Sequence, residues 1–169
     1  ERIVAGLRYI LKGTNCEQGI IAIEENKPDA IALLKKVVAA DKHIRVQALQ
    51  VKYPQGSEKH LIYACTQREV PVGGLPLDVG VIVNNVGTAV AIADAVEFGI
   101  PLIERVVTLS GNGIKNPANY LVRIGTLFSH LIAESGGYTG EIEKIIAGGL
   151  MMGKAVYTAD IPVIKGSSG

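Results

Sequence analysis

The sequence predicts a mixed α/β chain in two parts: an α/β part with a parallel sheet and crossover helices over residues 1–101, then a small α+β part over residues 102–169. Three observations predict it. The first fifty residues alternate between helical and strand-like apolar patterns. The chain changes character at Pro101, where an alanine-rich helix gives way to short strands. Hydrophobic residues make up 48% and charged residues 20% of 169 residues. That balance fills a core, excludes disorder, and suits one domain or two small ones.

Ile3, Val4, Leu7, Ile10 and Leu11 recur at helical spacing, with Gly13 as the stop. Gly19 to Glu24 (GIIAIE) is the short apolar run of a buried strand. Asn26 is then expected to cap a helix with Pro28 and Asp29 in its first turn. Ala30, Ile31, Leu33, Leu34, Val37 and Val38 give that helix a broad apolar face. Ile44, Val46, Ala48 and Leu49 suggest the next strand. Helix–strand–helix–strand is most simply closed as a parallel sheet with crossovers.

Tyr53 to Lys59 is turn-rich and leads into a helix through Leu61, Ile62, Ala64 and Cys65. Pro71 to Asp78 holds too many Gly and Pro residues for regular structure. Val79, Val81 and Val83 alternate as a strand ended by Asn84-Asn85. Val86 to Phe98 is a helix closed by Gly99 and Pro101. Beyond it, Ile103 to Leu109 reads as a strand and Ser110 to Gly113 as a tight turn. Tyr120, Val122 and Ile124 form a second strand. Thr126 or Ser129 begins a short helix through Leu131 and Ile132, stopped by Gly136-Gly137. Lys144 to Ala147 is a third strand. This order is that of a β-grasp module, and other α+β folds share it.

The formal net charge of +1 and the absence of a lysine/arginine block argue against a nucleic-acid partner. Six Tyr and two Phe, scattered, make no stacking platform. Cys16 and Cys65 belong to no CxxC motif, so no metal site follows from them. They read as small buried hydrophobes in a reducing compartment. His43, His60 and His130 share no ligand spacing. Met151-Met152 are expected to fill a packing gap. No apolar run approaches the roughly 20 residues of a membrane span, and no signal-peptide pattern is present. The chain opens within a helix and ends on Lys165 to Gly169 with no closing element, so both ends are expected to be boundaries within a longer protein.

Two places carry chemistry. Val83-Asn84-Asn85-Val86-Gly87-Thr88 lies where a strand hands over to a helix, the position at which open α/β sheets bind ligands. A helix N-terminus there suits a phosphate, and the Asn carboxamides can read a ring edge. Plain capping by Asn85 is an equally good account. Gln55-Gly56-Ser57-Glu58-Lys59 is also a loop feeding a helix, with Glu58 and Lys59 presenting charge. A capping box explains it equally well. The Gly73-Gly74 loop reads as a flexible turn or as the wall of a cleft.

Several segments in one order resemble the family of C subunits of Rnf electron-transport complexes. They are Ile23 to Ile31 (IEENKPDAI), Lys52 to Lys59 (KYPQGSEK), Arg68 to Pro71, and Gly74 to Gly80 (GLPLDVG) running toward Asn84 to Thr88. Pro101 to Thr108, Lys115 to Thr126 and Gly149 to Gly153 complete the series, which spans nearly the whole chain. That family is similar to the NADH-binding flavoprotein subunit of respiratory complex I.

The resemblance implies a Rossmann-like FMN/NADH-binding domain over 1–101 and a β-grasp, soluble-ligand-binding domain over 102–169. It implies FMN, NAD(H) and iron–sulfur clusters as cofactors, the clusters bound outside these residues. It implies ferredoxin or NADH as redox partners and the other subunits of a membrane complex as neighbours. The location implied is cytoplasmic, peripheral on the inner face of the cell membrane, without direct insertion. Val83, Asn84, Asn85, Val86, Gly87 and Thr88 match a Val-Asn-Asn-Val-Glu-Thr segment that contacts FMN in the complex I relative, with Gly87 in place of the acid. Ser57, Glu58 and Lys59 match a Gly-Glu-Glu segment beside flavin and nicotinamide, and Ser57 departs from the family glycine. The glycine loop over the flavin phosphate and the cluster cysteines fall outside the chain. Weak FMN binding or a colourless protein is therefore expected. The rivals are a non-catalytic docking scaffold and a related flavin-dependent cobalamin reductase.

Overall fold

The structure is a computed structural model that describes residues 1–169. They divide into two compact units, Glu1–Ile100 and Pro101–Gly169.

In the first unit, the 3–4 spacing of Val4, Leu7 and Leu11 winds Arg2–Thr14 into helix α1, which ends with Asn15 in the left-handed region. Strand β1 (Gly19–Glu24) follows, then α2 (Pro28–Val37) and β2 (Ile44–Leu49). β1 and β2 pair in parallel, Gly19 against Ile44 through Glu24 against Leu49. They form a two-stranded sheet. Val4 of α1, Ile21, Leu34 of α2, Val38 and Ile44 make the core on one face. A fully buried aliphatic side chain of this kind contributes about 1.5–3 kcal/mol.

Helix α3 (Glu58–Thr66) lies by the opposite face. Side chains of β2 hold it there. Arg45 donates to the Cys65 carbonyl at 2.9 Å and Gln47 to the Ala64 carbonyl at 2.9 Å. These are carbonyls of the last turn, which the helix cannot satisfy itself. Helix α4 (Val86–Phe98) ends on Gly99 in the left-handed region, as an αL C-cap requires. It packs against α1 through small residues. Ala93 is fully buried, and a Cβ placed on buried Gly6 would fall on the Ala89 carbonyl. Arg2 pairs with Asp94, and Tyr9 donates to Glu97 at 3.2 Å, along the same crossing.

Three expectations in this unit are corrected. Val79 to Val83 is no strand. Pro76–Val79 is a 3-10 turn, Gly80 is left-handed, and Val81 N–H returns to the Pro76 carbonyl at 3.1 Å. The alternation of valines is genuine, but the backbone is closed into a turn as far as Val81 and is irregular from there to Asn85. The N-cap of α2 is Lys27 and not Asn26. Asn26 Oδ1 instead accepts from Lys27 Nζ at 2.8 Å. The apolar face of α2 is only half used, since Leu34 is buried and Leu33 is 62% exposed.

In the second unit, β3 (Glu104–Leu109) and β4 (Ala118–Arg123) pair antiparallel. Helix α5 (Phe128–Glu134) follows, then a short antiparallel pair, β5 (Ile145–Ala147) and β6 (Lys154–Val156). Val107, Phe128, Leu131 and Val163 form the core. The link from β3 to β4 contains the expected turn, where Ile114 N–H donates to the Gly111 carbonyl at 3.2 Å, but continues as a longer loop before β4. Ile114 bridges Tyr138, and Lys115 N–H donates to the Gly137 carbonyl at 3.1 Å, so the loop is tied down elsewhere. Met151 and Met152 fill no gap. They are 73% and 82% exposed in the turn joining β5 and β6. The end of the chain does close on the unit. Val163 is fully buried, and Thr108 N–H donates to the Ser168 carbonyl at 3.0 Å.

No helix is long and apolar enough to cross a membrane.

Candidate functional site

The start of α4 is built by Asn85. Its backbone is extended, and its Oδ1 accepts from the Gly87 N–H at 2.8 Å. Its own carbonyl accepts from Thr88 N–H at 3.0 Å and Ala89 N–H at 3.2 Å. The capping account is therefore correct for the Asn85 oxygen. The Asn85 amide nitrogen, the Asn84 carboxamide and the Thr88 hydroxyl have no protein partner, and all three residues are exposed. Gly87 leaves space beside them. A Cβ there would touch only the Asn85 Oδ1, at 3.1 Å. This is a donor-rich, solvent-facing cradle at a helix N-terminus, chemistry that fits a phosphate or the polar edge of a heteroaromatic ring.

Ser57 takes the N-cap position of α3, but its hydroxyl caps nothing, so the expected capping box is absent. Ser57 N–H donates to the Pro54 carbonyl at 2.8 Å. Glu58 is exposed in the first turn. Lys59 Nζ donates to the Pro71 carbonyl at 3.3 Å, which ties α3 to the glycine-containing loop. No hydrogen bond joins Ser57, Glu58 or Lys59 to Asn84, Asn85 or Thr88.

A cavity of about 380 Å3 lies between α1, β1, α3 and residues 80–86. Val83 and Asn84 line it. Ser57, Glu58, Lys59, Asn85 and Thr88 do not. The cavity is mostly apolar, and both cysteines reach it. Cys16 is exposed, against the expectation of burial, because it lies in the link between α1 and β1. Cys65 is half-buried, and burial pushes its thiol up, partly countered by the nearby Arg45 cation.

Sequence reasoning missed two residues that shape this region. Arg68 donates from Nη1 to the Val79 carbonyl at 2.8 Å, and an Asp78 carboxylate oxygen accepts from Leu75 N–H at 2.8 Å. Asp78 also closes on Gly74, where a Cβ would stand 2.9 Å from the carboxylate. The Gly73-Gly74 loop is thus clamped. A charged residue on each side of a Gly/Pro segment was the available signal. No group of three or more His, Cys, Asp or Glu side chains is arranged to hold a metal ion.

Comparison with known proteins adds to this geometry. Residues 106–155 match the SLBB domain. Across its whole length the chain is 55% identical to the C subunit of a proton-translocating ferredoxin:NAD(+) oxidoreductase complex of Clostridium ljungdahlii, covering 37% of that protein. It is 48% identical to the C subunit of a Na(+)-translocating ferredoxin:NAD(+) oxidoreductase complex of Acetobacterium woodii, covering 38%. It is 42% identical to the C subunit of an ion-translocating oxidoreductase complex of Rhodobacter capsulatus, covering 33%. The chain thus spans about a third of the length of the curated relatives it matches. Residues 1–94, which hold the α4 cradle and the α3 loop, match the Nuo51 FMN-binding domain, and the chain belongs to that family.

Proposed function

We propose that the chain supplies one wall of an FMN site in the C subunit of an ion-translocating ferredoxin:NAD oxidoreductase complex. The match of residues 1–94 to an FMN-binding domain carries this reading. The unpartnered donors at the start of α4 support it. When bound, FMN supplies the conversion between two-electron hydride chemistry and single-electron transfer.

The residues here bind and orient. The Asn84 carboxamide and Thr88 hydroxyl face solvent and are free to meet the flavin's polar groups. Asn85 Oδ1 sets the helix start, which leaves its amide nitrogen to donate outward. Val83 is the half-buried apolar side of the same wall. Glu58 faces the flavin–nicotinamide region, and Lys59 reaches a phosphate or ribose once it leaves the Pro71 carbonyl. A hydroxymethyl group at Ser57, where the family has glycine, narrows the approach there.

On this reading residues 1–101 belong to a Rossmann-like domain and 102–169 to a β-grasp domain. NAD(H) and ferredoxin are the redox partners, and iron–sulfur clusters are held outside this chain. Partner subunits hold the protein at the inner face of the membrane. A docking scaffold is favoured by one observation, that Asn85 Oδ1 and Lys59 Nζ are both engaged within the protein. Titration with FMN, followed by quenching of flavin fluorescence, separates the two. The full-length protein is expected to saturate at one FMN per chain and residues 1–169 to bind far more weakly. Failure of the full-length protein to bind would establish the scaffold instead.

A further inference from the structure

From Gln50 to His60 every residue is exposed except Gln55, which is 7% exposed. Gln55 N–H donates to the Lys52 carbonyl at 2.8 Å, and Ser57 N–H donates to the Pro54 carbonyl at 2.8 Å. Two overlapping turns thus fix the residue in place. Its bonding is through the backbone alone, and the side-chain carboxamide pairs with no protein group. An amide offers two donors and an acceptor, and in buried residues these are bonded in the large majority of cases. Unpaired, they destabilise the fold. The Gln55 carboxamide is nevertheless not sealed off. The side-chain nitrogen or oxygen that is both shut away from solvent and without a partner is Arg105 Nε. The Gln55 amide therefore meets the surface through a narrow opening.

The elements on either side set where that opening lies. The loop leaves the carboxyl end of β2, where Glu25 N–H closes the parallel ladder on the Leu49 carbonyl at 2.9 Å. In open parallel sheets, ligands bind outside the carboxyl ends of the strands. The loop feeds α3, a helix of nine residues whose N-cap Ser57 makes no side-chain bond. The first N–H of the helix to find an acceptor is that of Leu61, on the Ser57 carbonyl at 2.8 Å. The N–H groups of Glu58, Lys59 and His60 stay open, as at any uncapped helix start. A buried, unpartnered carboxamide therefore stands two residues before the N-cap of a helix with a free first turn.

We infer that Gln55 binds the amide edge of a cofactor ring, its carbonyl accepting an N–H of the cofactor and its NH2 donating to the adjacent cofactor carbonyl. A primary amide holds donor and acceptor side by side in one plane. Its complement is a group that presents acceptor and donor side by side. A phosphate presents acceptors only and fits the backbone N–H groups of the α3 start instead. The imide of FMN, with its ring N–H between two carbonyls, has the complementary edge. So has the carboxamide of NAD(H). Both groups are neutral, so a neutral partner meets them without desolvating a charge. The role rests on the flavin reading above and extends it to a residue buried beside Ser57 and Glu58. It also accounts for an amide held rigid and unpaired in the free protein, since a group already ordered loses little entropy when the ligand arrives.

The test uses the full-length protein as parent, Gln55→Met and Gln55→Leu. Both variants keep an apolar side chain of similar size and remove the amide. Without cofactor, both should unfold at the same urea concentration as the parent or a higher one, because an unpaired buried amide has been replaced by apolar groups. A lower midpoint in both would show the amide bonded within the fold and overturn the inference. With cofactor, affinity should fall roughly 5- to 150-fold, as for two neutral hydrogen bonds. The fall appears in the Kd of FMN if the flavin imide is the partner. It appears in the Kd of NAD(+) on the FMN-loaded protein, at unchanged FMN affinity, if the nicotinamide carboxamide is. FMN methylated at its imide nitrogen and the acetylpyridine analogue of NAD(+) each block one of these contacts. The parent should discriminate against the analogue of its partner, and Gln55→Met should not. Equal FMN and NAD(+) affinities in parent and variants would overturn the inference and leave the flavin reading standing. Failure of the parent to bind FMN would overturn both.

Discussion

At the scale of single residues, Asn84 and Asn85 are adjacent in sequence and differ in role. Asn85 Oδ1 caps α4, whereas the Asn84 side chain touches no protein donor or acceptor. Asn85→Ala should therefore destabilise the fold by about 1 kcal/mol in urea denaturation. Asn84→Ala should stay within about 0.5 kcal/mol of the parent, as for an exposed unpartnered side chain. Asp41 offers a pH test. The His43 backbone N–H, above all, and the Arg8 guanidinium hold its carboxyl below the usual carboxylate range. A depressed folded pKa means that the stabilisation is present above the unfolded value and is lost as pH falls through the folded one. Melting midpoints measured below about pH 4 should fall less steeply for Asp41→Asn than for the parent. The cap at Asn85 is one of two readings open in the sequence. The engagement of Lys59 by the Pro71 carbonyl is not legible there, because it joins residues twelve apart across an irregular loop.

At the scale of elements, helices with a clear stop are legible in the sequence. α4 begins and ends where Asn85 and Gly99 place it. The strand expected over Val79 to Val83 is absent because residue alternation reports side-chain preference and not backbone pairing. Gly80 in the left-handed region, with Arg68 and Asp78 clamping either end of the turn, decides the backbone there. The α1–α4 crossing is invisible to periodicity, since its contact rests on the absence of a side chain at Gly6. Gly6→Ala places a methyl on the Ala89 carbonyl. It should cost about 2 kcal/mol or more, as overpacking does, and thermal unfolding would register the loss. A midpoint equal to the parent's would mean that the helices separate without penalty.

At the scale of the whole molecule, the change of character near Pro101 is legible as the end of an alanine-rich helix. What the sequence hides is the part played by its last residues. Val163 sits in the core of the second unit, and Ser168 accepts a hydrogen bond from β3. Short segments without alternation give no periodic signal, even when one residue in them is fully buried. The candidate site is legible in the same uneven way. Ordered motifs point to Asn84, Asn85 and Thr88, but nothing local reveals that Val83 and Asn84 border a cavity while Ser57, Glu58 and Lys59 stand away from it.

Whether the start of α4 forms a wall of an FMN site is tested most directly by FMN titration of the full-length protein, comparing the parent with Asn84→Ala/Thr88→Ala. Loss of two ligand hydrogen bonds at about 1–1.5 kcal/mol each should raise Kd by roughly 30- to 150-fold, with the urea midpoint nearly unchanged. An FMN Kd equal to the parent's in a folded double variant would contradict that role for the two residues.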